Sequence, residues 1–108
     1  MSELDKLEQY LKEHGYSYER TDRLADENVV RIYREMNNGE YRGQGEFHQI
    51  IVYDRNDEFL FDVVCHYGSY GWEVGLLEFL GSPITGSYDP EGYLTAKDVI
   101  KRLKRVQK

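Results

Sequence analysis

The sequence predicts an α+β fold: an antiparallel sheet of three to five strands, a helix at each end of the chain and a further helix near residues 70–80. Three observations carry this. Leu4, Leu7 and Leu11 recur at helical spacing near the start, and Val99, Ile100, Leu103 and Val106 do so near the end. Between them, Phe47–Tyr53 and Phe59–Tyr67 are two β-rich runs joined by the polar segment Asp54–Glu58, the pattern of a hairpin. At 108 residues, the chain fits a single domain spanning 1–108.

Taken in order, Ser2 is the N-cap of the first helix, Tyr10 extends its apolar stripe, and His14-Gly15 ends it. Tyr16–Arg20 alternates like a short strand. Residues 22–28 are charged and read as a loop or one helical turn. Val29–Met36 is rich in β-branched residues and reads as a strand, with Asn37-Asn38-Gly39 as the turn that follows. Two glycines, Gly43 and Gly45, predict mobility in 41–45. In the second hairpin strand Phe59, Phe61, Val63, Cys65 and Tyr67 share the more apolar face, expected to meet the core. Leu60, Asp62, Val64 and His66 share the other. After the break at Gly68–Gly71, the spacing of Trp72, Leu76, Phe79 and Leu80 predicts a helix capped by Ser69 and closed by Gly81. Gly75 inside it weakens that helix by about 1 kcal/mol relative to Ala. Ser82–Gly92 reads as a loop, and Thr95 with Asp98 as the capping box of the last helix.

Net charge is −6 but unevenly spread. Residues 97–108 carry six cations against Asp98 alone, a net +5, which leaves −11 for residues 1–96. Such an acidic body repels nucleic acid, so no direct nucleic-acid contact is expected, and it attracts basic surfaces. Solubility alone also accounts for charge far from zero. The start of the chain lacks a basic-then-apolar leader pattern, and no apolar run approaches a membrane span, so a cytoplasmic location is expected with no membrane partner.

Candidate chemistry is sparse. Cys65 is the single cysteine. His48 in the first hairpin strand lies roughly opposite Cys65 or His66 in the second. These three are the candidates for a small Cys/His-dependent enzyme or a metal site. Against this, neighbours on a strand point to opposite faces, so Cys65 and His66 do not easily serve one centre. Neither C-x-x-C nor H-E-x-x-H occurs, so no metal, no cofactor and no catalytic set is expected. The glycine-rich Gly68–Trp72 segment reads either as an anion-holding junction or, more simply, as a tight turn. The pairs Asp26-Glu27, Asp57-Glu58 and Glu73/Glu78 read as solvated charge. Ten tyrosines and one tryptophan exceed what a core this small can hide. Tyr41, Asp57, Glu58, Tyr70, Trp72, Glu73 and Tyr88 are therefore the expected binding residues, since exposed aromatics beside carboxylates suit a basic protein partner. A homodimer through an exposed sheet edge or tyrosine face is a further expectation.

The stretches Phe47–Asp54, Asp62–Gly71, Leu76–Glu78 and Gly92–Val99 together resemble small uncharacterised proteins of phages and mobile elements of Gram-positive bacteria, over about the C-terminal 60 residues. The resemblance carries no functional residues. It implies a non-enzymatic counter-defence inhibitor of anti-CRISPR type. Such a protein acts in the host cytoplasm and blocks the nucleic-acid-binding surface of a host nucleic-acid-processing complex.

Overall fold

A computed structural model describes residues 1–80 and 91–106. Along the chain run α1 (Glu3–Glu13), β1 (Ser17–Arg23), α2 (Glu27–Met36), β2 (Phe47–Tyr53), β3 (Phe59–His66), a single 3₁₀ turn (Trp72–Val74), β4 (Leu77–Leu80), β5 (Glu91–Leu94) and α3 (Ala96–Val106). The five strands form one antiparallel sheet in sequence order, β1-β2-β3-β4-β5. The mixed α+β class, the two terminal helices and the β2–β3 hairpin are as the sequence predicts.

Helix α1 begins in a capping box. The Asp5 N–H donates to Ser2 Oγ and the Ser2 N–H donates to the Asp5 carboxylate, each at 3.1 Å. It ends where Gly15 takes φ +70° and the Tyr16 N–H reaches back to the Leu11 carbonyl at 2.9 Å. At the other end of the chain, Asp98 accepts from both the Thr95 N–H and its hydroxyl, at 3.0 and 2.9 Å.

The two terminal helices lie side by side on one face of the sheet and point the same way. The Ala96 N–H donates to Glu3 Oε1 at 2.9 Å, and Lys104 sits over the Tyr10 ring, 5.8 Å from its centre. Leu4, Leu7 and Leu11 of α1 and Ala96, Val99 and Leu103 of α3 meet Ile50, Val52, Phe61, Val63, Leu77, Phe79 and Leu94 of the sheet. Phe61 and Phe79 pack at 5.1 Å between ring centres. Arg20 closes the seam between sheet and helix, donating to Asp5 (2.8 Å), Glu8 (3.1 Å) and Asp22 (2.9 Å).

Two expected elements are different in the structure. Residues 29–36, expected as a strand, belong to helix α2. Asp26 caps it by accepting the Val29 N–H at 2.9 Å, and Val29, Val30 and Tyr33 fall on one side. The β-branched preference amounts to only a few tenths of a kcal/mol per residue, and the cap with the 3.6-residue period outweighs it. Asn37-Asn38-Gly39 is then the end of that helix: Asn38 and Gly39 take positive φ and the Gly39 N–H donates to the Arg34 carbonyl at 2.7 Å.

The second difference is the helix expected near residues 70–80. Gly71 (φ +106°) and Gly75 (φ +71°) are left-handed on either side of one 3₁₀ turn, so no longer helix can form there. β4 then takes Leu77 and Phe79 into the core, Phe79 opposite Val63 and Leu77 opposite Leu94. Helical spacing and strand alternation overlap in so short an apolar run, and the glycines decide between them. Glu91 and Gly92, expected in a loop, lie in β5, while Gly81 and residues 82–90 fall outside the described residues. In β3, Phe61 and Val63 face the core and Cys65 packs against it. Phe59 and Tyr67, expected there too, are exposed at the strand ends, and Val64 on the opposite face is fully buried.

Candidate functional site

The sheet register places Asp22, His48 and Cys65 in one row, on three adjacent strands. His48 Nδ1 lies 2.7 Å from Asp22 Oδ1. Burial works against the charge on Asp22, yet its bonds to His48 and Arg20 outweigh that and hold the carboxyl below its ordinary range. Cys65 makes no hydrogen bond to His48 among the described residues. Burial pushes its thiol up, and the Glu46 carboxylate adds to the effect, which is the reverse of an activated nucleophile. His66 points to the other side of the sheet, stacked on Phe47 at 5.5 Å. His48, Cys65 and His66 therefore do not converge, and among the described residues no group of three His, Cys, Asp or Glu side chains is placed to hold a metal.

The segment that follows β3 is more informative. Ser69 is a clamp inside the turn: its Oγ accepts the His66 N–H at 3.0 Å, its hydroxyl donates to the His66 carbonyl at 2.8 Å, and its own N–H donates to the same carbonyl at 2.8 Å. The Tyr70 N–H donates to the buried Glu78 carboxylate at 3.3 Å and the Trp72 N–H to the Ser69 carbonyl at 3.2 Å. With the Ser69, Tyr70 and Trp72 N–H groups used internally and only a single 3₁₀ turn following, the Gly68–Trp72 segment is built as a tight turn.

Two close approaches fix that turn to its neighbours. A Cβ on Gly43 would lie 2.4 Å from the Trp72 ring, and the indole N–H donates to the Arg42 carbonyl at 3.2 Å. The 41–45 segment, expected to be mobile, is thus stapled to Trp72. Tyr41 adds its hydroxyl to the Gln44 carbonyl at 2.6 Å, and the buried Gln44 side chain accepts the Arg42 N–H at 2.9 Å. On the other side, a Cβ on Gly92 would lie 2.1 Å from Tyr70 Cβ, and the Tyr93 N–H donates to the Tyr70 carbonyl at 3.2 Å.

What this scaffold presents is aromatic. Tyr67, Gly68, Trp72, Glu73, Val74 and Tyr93 line a shallow cleft of about 290 Å³. Tyr70 is 57% exposed, Tyr93 64% and Val74 66%, with Tyr67 exposed and Trp72 half-buried. Glu73 is exposed and makes no hydrogen bond or ion pair among the described residues, although Arg42, engaged by Glu40 at 3.0 Å, acts on it electrostatically.

Of the expected binding residues, the structure gathers Tyr41, Tyr70, Trp72 and Glu73 at this end of the sheet. Tyr41 supports rather than presents. Asp57 and Glu58 sit in the β2–β3 turn at the opposite end, seven residues of strand away, or about 20 Å. There the Asp54 carboxylate ties the turn by accepting the Asn56 and Glu58 N–H groups at 2.7 and 3.0 Å. They do not share a surface with the tyrosines. Tyr88 lies outside the described residues. Tyr67, Val74 and Tyr93 are additions. Tyr93 carries no sequence signal, because what presents it, Gly92 pressed against Tyr70 and its own φ of +59°, is set by the fold. Other tyrosines are accounted for by packing, since Tyr10, Tyr16 and Tyr18 lie against the core.

Among the described residues, no helix is long and apolar enough to cross a membrane. No family model, curated protein or solved structure matches the chain.

Proposed function

We propose that this is a non-enzymatic binding protein that docks, through the aromatic end of its sheet, onto a protein partner with a basic surface. The observation that carries the reading is the cleft lined by Tyr67, Trp72, Glu73, Val74 and Tyr93, with the exposed Tyr70 in the same clamped turn. Exposed tyrosines on a preorganised frame give large contact area at little entropic cost, which is the make-up of a binding hot spot. The exposed carboxylate of Glu73, only partly offset by Arg42, and the −11 balance of residues 1–96 favour a cationic partner and speed its approach. The finer reading is a counter-defence inhibitor of a host nucleic-acid-processing complex. It rests on the resemblance to mobile-element proteins together with this charge.

The test compares wild type with Tyr70→Ala/Tyr93→Ala in capture from a Gram-positive host lysate, followed by titration of the purified partner against both. Loss of at least tenfold in affinity is expected from the double change, given about 1–2 kcal/mol per hot-spot aromatic. Equal binding by the two proteins, or no partner at micromolar concentration, would sink the proposal. Inhibition of nuclease activity by wild type and not by the variant would support the finer reading.

A further inference from the structure

The whole-chain charge argues against a polyanionic ligand, but one face of the molecule departs from that average. Helix α3 carries Lys97, Lys101, Lys104 and Arg105, spaced i, i+4, i+7 and i+8, which places all four on one side of a 3.6-residue helix. All four are exposed. Val99 and Leu103, on the other side, are fully buried in the core. The stripe is therefore held rigidly, about 12 Å long at 1.5 Å per residue.

Asp98, one turn from Lys101, offsets part of the stripe's charge without forming an ion pair with it. Among the described residues, the carboxylates of α3 and of its neighbours on α1 and β5 make their hydrogen bonds and ion pairs away from the stripe. Asp98 is turned to Thr95. Glu3 takes Lys6 at 2.9 Å and the Ala96 N–H. Glu13 accepts from Gln9 at 3.2 Å. Glu91 binds Arg102, the one basic residue of α3 turned toward the sheet. Among the described residues, none of the four stripe cations makes an ion pair, although Lys104 rests over the Tyr10 ring.

We propose that this stripe is a contact site for a nucleic-acid backbone, independent of the aromatic end and of any protein bound there. Glu19 and Asp62 lie on the face of the sheet opposite the one that α3 covers. Salt screens charge over about 10 Å at 0.1 M, so a phosphate row on α3 meets the local positive charge more than the distant carboxylates. A single-file row of cations matches a line of phosphates. An anionic membrane is less suited, because the apolar side of α3 is already buried and nothing remains to insert. The contact reads no sequence, since the stripe offers no side chain shaped for base edges.

The experiment is fluorescence anisotropy of a short labelled DNA duplex with the full chain, titrated across salt from about 50 to 200 mM. Four contacts predict weak binding with a log–log salt slope of about −3 to −4. The variant Lys97→Gln/Lys101→Gln/Lys104→Gln/Arg105→Gln keeps helix propensity and touches no buried group. It is expected to lose at least tenfold in affinity at low salt and most of the slope, with an unchanged circular dichroism spectrum. Arg31→Gln/Arg34→Gln, on α2, removes two exposed cations elsewhere and is expected to bind like wild type. Absent binding, binding that survives the four-fold change, equal loss from the α2 variant, or equal affinity for polyglutamate or phosphatidylserine vesicles would each overturn the proposal.

Discussion

Helices α1 and α2 are almost the same length and begin alike, with an acid or hydroxyl side chain capping the N-terminus, yet they hold the molecule together to very different degrees. α1 buries Leu4, Leu7 and Leu11 completely or nearly so. α2 buries nothing fully: Val29, Val30 and Tyr33 are half covered, and Ile32 and Met36 are exposed. Local signals are equally good in both. What differs is whether a sheet face lies opposite the apolar stripe. α1 is thus part of the cooperative unit, while α2 depends on its cap and on close contact of Ala25 and Val29 with Gly45.

The sharpest way to break this contrast is core truncation. Leu7→Ala should cost about 3 kcal/mol in urea unfolding, and Val30→Ala less than about 1 kcal/mol, because only the first leaves a cavity in packed surroundings. Equal losses would mean that α2 is as integral as α1. Next in size is Arg20→Ala, expected to cost about 1–2 kcal/mol by stranding three carboxylates at the seam that α1 shares with β1. The caps come third. Ser2→Ala should lower global stability by about 1 kcal/mol. Asp26→Ala should instead speed amide exchange within α2 and leave the unfolding midpoint nearly unchanged.

The smallest effects are in pH. Hydrogen bonds from the Ser2 N–H and Arg20 hold the Asp5 carboxyl at about 2, against an ordinary value of 3.8. Its contribution is therefore present above that ordinary value and disappears as the pH falls through about 2. Asp5→Asn should be less stable than wild type at neutral pH and should converge with it in strong acid. Asp62 has the opposite sign. Burial raises its carboxyl despite the Gln49 amide at 2.9 Å, so its contribution is full in acid and lost as pH rises through the elevated folded value. Asp62→Asn should raise the melting temperature slightly at neutral pH and make no difference in acid.

The candidate site was partly legible for the same reason that α1 was. Tyr70, Trp72 and Glu73 stand out as bulky or charged residues among glycines, where no regular element can hide them. Asp57 and Glu58 stand out too, but the hairpin that the sequence predicts already puts them a strand's length from Tyr70 and Trp72. Strict alternation puts Tyr67 on the core face. The strand stops at His66, so the last apolar residue of the pattern has no partner and turns outward.

The sequence by itself determined the α+β class, both terminal helices with their caps, and the central hairpin, because capping, 3.6-residue spacing and strand alternation act between residues close along the chain. The Asp26 cap and the 3.6-residue period that make 29–36 a helix act locally as well. Only the tertiary structure decided that 77–80 is a strand paired on both edges and that Tyr67 and Tyr93 line one cleft. Those outcomes depend on partners distant in sequence: the β3 and β5 edges that accept Leu77–Leu80, and the Tyr70 backbone that presses on Gly92.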